Sequence, residues 1–465
     1  MSALDERDLR IAGWMHREAP AAMDEAVLRE IVERTRATPQ RPGGWWARGL
    51  AMAGPTLGTT VAVAAIALIV LVVIRPPSDE GRPIGSAPVG SSAMPLHSPE
   101  PSTSPSATAA PERWSAIGLP DPRPEDVQGE IPNDVVAGGP GFVAVGRSYP
   151  SGDMAFDERQ LTPAIWTSVD GAIWELAADL AALGPAELRA VASGPDGWLL
   201  AVGSDMRGIG PDEEPPTGVG MWRSSDGIRW EAAPAPDGAN FFMDVIGTDE
   251  GWLVAGWGES GGPTIFTSND LETWTATRLP GGSEDQLNGV FGDGSGRALA
   301  FGCDHPADDE RGLRAGCERP MGWLRDGEAW EAVELPTLPV AGAVLGDRLV
   351  IIGPGEAGAA SFSSRDGRSW VPGDVLPGEA FVSAMTVTDD GLAAAGTIEV
   401  NGERFMPAVW LSADGQRWES PAILPVEGSP QEPTVTAIID TPAGLVGLGY
   451  AFYDKAVAQG WIRSP

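Results

Sequence analysis

The 465-residue chain predicts an all-β fold, a seven-bladed β-propeller, and three observations carry that expectation. An aromatic–Ser–Asp–Gly–Trp phrase returns six times along the second half and middle of the chain. A short apolar run ending in Gly returns seven times and alternates with it. The piece that the last unit lacks stands at the front of the repeat region. Periodicity of this kind marks a repeat architecture, and four short strands per period of about 50 residues mark a propeller blade.

The first phrase places Ser168, Asp170 and Trp174 in one copy and Ser224, Asp226 and Trp230 in the next. Ser268, Asp270 and Trp274 follow with Leu in the Gly place, then Asp326 and Trp330 in a copy one residue shorter. Ser364, Asp366 and Trp370, then Ser412, Asp414 and Trp418, complete the six. Each copy reads as a tight hairpin. The Asp carboxylate can accept from the N–H groups of its own turn, Gly permits a positive φ, and the closing Trp can pack between sheets. The repeated placement marks these carboxylates as structural, and no catalytic residue is assigned.

The second phrase ends at Gly146, Gly203, Gly256, Gly302, Gly353, Gly396 and Gly449. One unit therefore reads strand, turn, strand, loop, strand, Asp-Gly hairpin, strand. The last unit stops at Trp461 without its hairpin and fourth strand, whereas Trp114 begins an orphan strand just before the first unit. Pairing of the Trp114 and Trp461 segments is expected to close the ring and remove a free sheet edge.

The Ser-x-Asp-Gly-x-x-Trp phrase resembles the Asp-box, or BNR repeat, of sialidases and of several non-enzymatic propellers. The unit count is most similar to photosystem-assembly propellers and related bacterial surface proteins. The resemblance spans residues 113–465 and implies the fold. For a sialidase it would further imply three carboxylate-clamping Arg, a Tyr/Glu nucleophile pair and an Asp acid. Tyr149, Tyr450 and Tyr453 are the chain's three tyrosines, and none stands in a matching context.

Four segments are expected. Residues 1–49 read as two short amphipathic helices on the cytoplasmic side. Residues 50–74 carry no charge and are almost wholly apolar, long enough for a transmembrane helix. Eight Arg precede this span and only Arg75 and Arg82 follow closely, which orients the N-terminus to the cytoplasm as an uncleaved signal anchor. Residues 75–112, with nine Pro among Ser, Ala and Thr, read as a disordered stalk. Residues 113–465 form the extracytoplasmic propeller.

Composition narrows the chemistry. A net charge of −34 disfavours nucleic acid and anionic lipid heads and favours cations or basic partners. Three His leave little scope for a zinc site or a Ser/His/Asp triad. The long insertions between second and third strands hold Asp153, Asp157 and Glu158; Asp212, Glu213 and Glu214; and Asp304, Asp308, Asp309 and Glu310. This rim reads as a solvated acidic edge, with a calcium or basic-ligand site as the alternative reading. No cofactor or metal is assigned. Cys303 and Cys317 bound one insertion and read as a disulfide; a metal pair with His305 would lack a fourth ligand.

The leading functional expectation is a membrane-anchored recognition module for an extracytoplasmic protein or glycan. A transmembrane sensor is the second, its layout similar to that of membrane anti-sigma factors, with residues 1–49 contacting a cytoplasmic protein. An extracellular glycoside hydrolase is the third.

Overall fold

A computed structural model describes residues 114–464, apart from 121–126, 151–160, 178–179, 208–217, 260, 283–284, 305–316, 318, 328, 403, 429 and 454. The expected cytoplasmic helices, membrane span and stalk lie outside the described residues. Among the described residues no helix is long and apolar enough to cross a membrane.

The described chain is a β-propeller. A lone strand β1 (Trp114–Gly118) precedes β2 (Val127–Gly138), β3 (Gly141–Pro150), β4 (Thr162–Ser168) and β5 (Glu175–Leu176). Next come β6 (Ala186–Ser193), β7 (Leu199–Asp205), β8 (Val219–Ser224) and β9 (Glu231–Ala232). They are followed by β10 (Ala239–Thr248), β11 (Gly251–Gly258), β12 (Pro263–Ser268) and β13 (Thr275–Arg278). Then stand β14 (Gln286–Gly292), β15 (Ala298–Asp304), β16 (Arg319–Asp326) and β17 (Ala329–Glu334). The next set is β18 (Ala341–Leu345), β19 (Arg348–Gly355), β20 (Gly358–Ser364) and β21 (Val371–Val375). After it run β22 (Glu379–Thr388), β23 (Gly391–Val400), β24 (Arg404–Ser412) and β25 (Ala422–Ile423). The chain ends in β26 (Gln431–Thr441), β27 (Gly444–Phe452) and β28 (Ala456–Arg463).

The expectation of seven separate sheets is corrected here: five independent four-stranded sheets stand beside one eight-stranded sheet. The larger sheet runs β26-β27-β28-β2-β3-β4-β5, with β1 also paired to β28. Its two parts merge through one parallel pair, Gly129 opposite Ala456. The merger has a physical cause: a Cβ on Gly129 would strike both the backbone and the side chain of Ala456, so only Gly allows the approach. Beside that pair, β1 lies antiparallel on β28 from Trp114 opposite Arg463 to Gly118 opposite Gln459. The first strands β2, β6, β10, β14, β18, β22 and β26 touch in that order, and β26 touches β2.

The recurrent Gly of the apolar phrase now has a reason. In six of the seven repeats the first strand carries a bulge beside that Gly. Asn133, Arg189, Met243, Asn288, Ser383 and Thr436 are each skipped in the pairing with the second strand. A Cβ on Gly146, Gly203, Gly256, Gly302, Gly396 or Gly449 would meet the carbonyl oxygen of Ile131, Glu187, Phe241, Gln286, Phe381 or Thr434. The bulge and the Gly are two halves of one device.

Bulge side chains also tie neighbouring first strands. Asn133 donates to the Leu188 carbonyl at 2.6 Å, Ser383 donates to the Val435 carbonyl, and Thr436 donates to the Pro132 carbonyl at 2.5 Å. The last bond joins residues 304 positions apart and crosses the seam. Asp134 and Asp244 add a second tie. Asp134 accepts from Val135 N–H and from Val191 N–H, both at 2.8 Å. Asp244 accepts from Val245 N–H at 2.8 Å and from Val290 N–H at 3.0 Å.

A further tie follows the fourth strands. Trp166, Trp323, Trp410 and Trp461 donate their indole N–H to the carbonyls of Pro120, Pro280, Pro377 and Pro425 at 2.7–3.0 Å. Pro280, Pro377 and Pro425 each lie just beyond the fourth strand of the preceding sheet, inside a Leu-Pro pair. Pro120 stands in the same relation to β1. The pairing register and this indole bond independently give β1 the part of a fourth strand.

Between sheets the core is apolar and closed: Val143, Val145, Leu199 and Ala201 are fully buried in one cluster, and Val350 and Trp410 in another. Trp461 is fully buried with Trp114 packed on its cluster. Replacing Trp461 by Ala is expected to cost about 3–5 kcal/mol. Trp461→Phe, which keeps the ring and strands the Pro425 carbonyl, is expected to cost about 1–3 kcal/mol. Urea unfolding monitored by circular dichroism checks both, and a Phe variant as stable as the wild type would show that the indole bond contributes nothing.

Candidate functional site

Two ends of the sheets compete for the role of functional face. At one end lie the Ser-x-Asp turns. Asp170, Asp226, Asp270, Asp366 and Asp414 each accept from two N–H groups of their own turn at 2.7–3.2 Å. Ser168, Ser224, Ser364 and Ser412 each accept from the Gly N–H at 2.8 Å, and Ser268 accepts from Leu271 N–H at 2.9 Å. These backbone bonds hold the five carboxyls below the usual range, so they stay ionised at every ordinary pH. In each turn the two N–H groups share one carboxylate oxygen, Oδ1.

The imperfect copies show what the turn requires. Leu271 occupies the Gly place with φ 59°, a region that favours Gly, and its side chain is buried in the adjoining cluster. The shorter copy closes tightly, with Asp326 opposite Ala329 and Gly327 at φ 71°. Trp174 and Trp230 donate to the carbonyls of Gly171 and Gly227, Trp274 donates to Pro234, and Trp418 is buried against the sheet before it. Trp330 and Trp370 are partly buried at the same junctions.

The opposite end carries the long connections. Asp153, Asp157, Glu158, Asp212, Glu213, Glu214, Asp308, Asp309 and Glu310 lie outside the described residues. Asp304 is described and pairs with Arg319. Cys303 and Cys317 are joined by a disulfide, with Cα atoms 5.5 Å apart. Among the described residues no group of three or more His, Cys, Asp or Glu could hold a metal ion.

At this end the structure assembles a set that the sequence did not single out. Glu187, on β6, is almost buried, its side chain 7% exposed. Arg147 from β3 forms an ion pair with one of its oxygens, and Arg189 donates to the other at 2.8 Å. Arg147 also donates to the Tyr149 hydroxyl at 2.7 Å. Arg189 is the bulged residue of β6, and its guanidinium lies 4.2 Å from the centre of the Phe241 ring on β10. Phe241 in turn meets Trp257 with ring centres 5.2 Å apart. A continuous line of charged and aromatic groups therefore crosses three successive sets of strands. Elsewhere on this end, Phe381 meets Phe405 at 5.9 Å and Tyr450 meets Phe452 at 5.3 Å. Tyr453 donates to the Glu427 carbonyl at 2.8 Å.

Tyr149 and Glu187 share the Arg147 guanidinium, while Tyr450 packs in a cluster with Ile131 and Ala456. Arg147 and Arg189 lie in apolar strand runs, and their partner Glu187 lies about 40 residues from one and two from the other. The one local signal was their departure from strand alternation.

No family model matches the chain, and no curated protein matches it. Solved structures of propellers do. YCF48 from Cyanidioschyzon merolae is 14% identical, with 75% of this chain and 98% of that chain covered and a TM-score of 0.45. Virginiamycin B lyase from Staphylococcus aureus is 12% identical, covering 75% and 99%, with a TM-score of 0.43. Aleuria aurantia lectin, in complex with a fucosylated saccharide, is 12% identical, covering 58% and 93%, with a TM-score of 0.36.

Two predictions follow from the geometry. Ser412→Ala removes the acceptor for the buried Gly415 N–H and is expected to cost about 1–3 kcal/mol in thermal or urea unfolding. The first-strand carboxyls set a pH dependence of the opposite sign to the turns. Burial pushes Asp134 up to about 7 and Asp244 up to about 6, against backbone bonds that pull them down. A carboxyl raised in the folded state favours folding below its unfolded value and loses that advantage as pH rises through its folded value. Stability is therefore expected to fall between about pH 4 and about pH 7. Asp134→Asn is expected to flatten that slope while lowering the melting temperature throughout, because the amide cannot accept both N–H groups. A wild-type melting temperature that rises across this window would contradict the assignment.

Proposed function

We propose that the chain is a single-pass membrane protein whose extracytoplasmic propeller is a non-catalytic recognition module for a protein or glycan. In this reading residues 1–49 are cytoplasmic, residues 50–74 are an uncleaved signal anchor, residues 75–112 are the stalk and residues 113–465 are the propeller. The uncharged run at 50–74 and the eight preceding Arg support the anchor and its orientation. The Cys303–Cys317 disulfide supports an oxidising compartment for the propeller.

We count the ring as seven blades, six of them carrying an Asp-box turn, taking the eight-stranded sheet as two. Its two halves have four strands each, β26-β27-β28-β1 and β2-β3-β4-β5, and meet at one residue pair. The cyclic contact of seven first strands supports the same count.

One observation carries the recognition reading. The line Arg147–Glu187–Arg189–Phe241–Trp257 lies on the end with the long connections, where loops on a rigid scaffold gather binding groups. The carboxylates of the other end are occupied by their own turns. Affinity capture with the full-length protein in membranes tests this. Arg189→Ala with Trp257→Ala is expected to weaken partner capture about tenfold or more, a loss of about 1.4 kcal/mol or more. Ser412→Ala, at the other end, is expected to leave capture unchanged. Capture that survives the double variant, or that fails with Ser412→Ala alone, would place recognition elsewhere.

A further inference from the structure

We propose that Arg147, Tyr149, Glu187, Arg189, Phe241 and Trp257 form a saccharide subsite that takes one pyranose ring of a neutral outer-surface glycan. The proposal deepens the recognition reading and rests on it.

The bulge positions give the first reason. Asn133, Ser383 and Thr436, at the equivalent places, spend their side chains on a carbonyl of the next first strand. In β6 that place is held by Arg189, which instead reaches over Phe241 and bonds Glu187 and Ser204. Bulges re-aim side chains beside binding sites, and here the re-aimed group is a planar five-donor fork.

Chemistry supplies the second reason. A pyranose offers hydroxyls that donate and accept in pairs and a face of C–H bonds that is apolar. Two guanidinium forks locked by the Glu187 carboxylate hold planar donors with little rotamer freedom left to lose. The Tyr149 hydroxyl accepts from Arg147 and holds that fork in place. The half-buried Phe241 and Trp257 rings supply apolar surface beside these polar groups, as small-ligand sites require.

The third reason weighs against rivals. A protein partner would need a broad apolar core at its contact. Among the described residues the most exposed large apolar side chains, Val169 at 77% and Ile173 at 70%, lie on a turn at the other end of the sheets; Phe452 at 37% and Tyr453 at 38%, at the end of β27, are less exposed. A polyanionic glycan would meet the field of a chain carrying −34 charges. A neutral saccharide meets neither objection.

The test uses full-length protein in nanodiscs of uncharged phospholipid. The probes are methyl glycosides of glucose, galactose, mannose and N-acetylglucosamine, read by saturation-transfer NMR and calorimetry. At least one glycoside is expected to show saturation of its ring C–H protons. Trp257→Ala is expected to weaken it about tenfold or more. Trp257→Tyr, which keeps a platform, is expected to retain most of the affinity. Arg147→Lys, which keeps the charge and loses the fork, is expected to weaken binding without lowering the melting temperature as Glu187→Gln would. Glycoside binding that none of these variants changes overturns the subsite and leaves the recognition reading standing. Absence of glycoside binding alongside capture of a protein does the same, in favour of a protein partner. Absence of both overturns the two together.

Discussion

The pairing of β1 with β28 is the constraint on which the ring depends. Every other sheet is completed by its own chain segment, so its four strands come from neighbouring stretches of sequence. The closing sheet draws its outermost strand from a segment more than 300 residues away from the strand it covers. Four ties converge on that seam: the β1 register, the Gly129–Ala456 approach, the Thr436 bond to Pro132 and the Trp166 bond to Pro120. Together they join the first and last described strands in one sheet. The loop entropy of bringing such distant segments together is large, and the seam has to offset it.

Division of labour between the two ends of the sheets follows from local bonding. A carboxylate at the surface that accepts two backbone N–H groups is fixed and stays ionised, and five of them occupy one end. Asp134 and Asp244 use the same bonding between neighbouring first strands, but burial reverses its effect on their protonation. At the other end the polar groups bond one another across sheets. Glu187 holds two guanidinium groups from different sets of strands, and that arrangement leaves planar donors and aromatic rings at a surface.

Much of the architecture was legible because it is local. The Asp-Gly hairpins and the Gly-terminated strands are short phrases, and their physics is settled within ten residues. The orphan Trp114 strand was legible by subtraction, since the last repeat lacked its counterpart. Three features were not legible. The merger of two four-strand groups into one sheet rests on a single close approach at Gly129, which no phrase announces. The Leu-Pro pairs after the fourth strands are too common a dipeptide to notice until the indole bonds show their use. The arginine–aromatic line joins residues contributed by three separate repeats, and the sequence draws attention instead to the acidic insertions. Most of that acidic rim lies outside the described residues, so the two sets of residues are not compared by the structure.

The most direct measurement of the account is amide hydrogen exchange of the full-length protein along Ser115–Ile117, compared with β27 and β28. If β1 is the ring's closing strand, its amides exchange as slowly as those of β28 and are released in the same cooperative opening. Exchange of Ser115–Ile117 at the rate of an unstructured peptide, with β28 still protected, would contradict it.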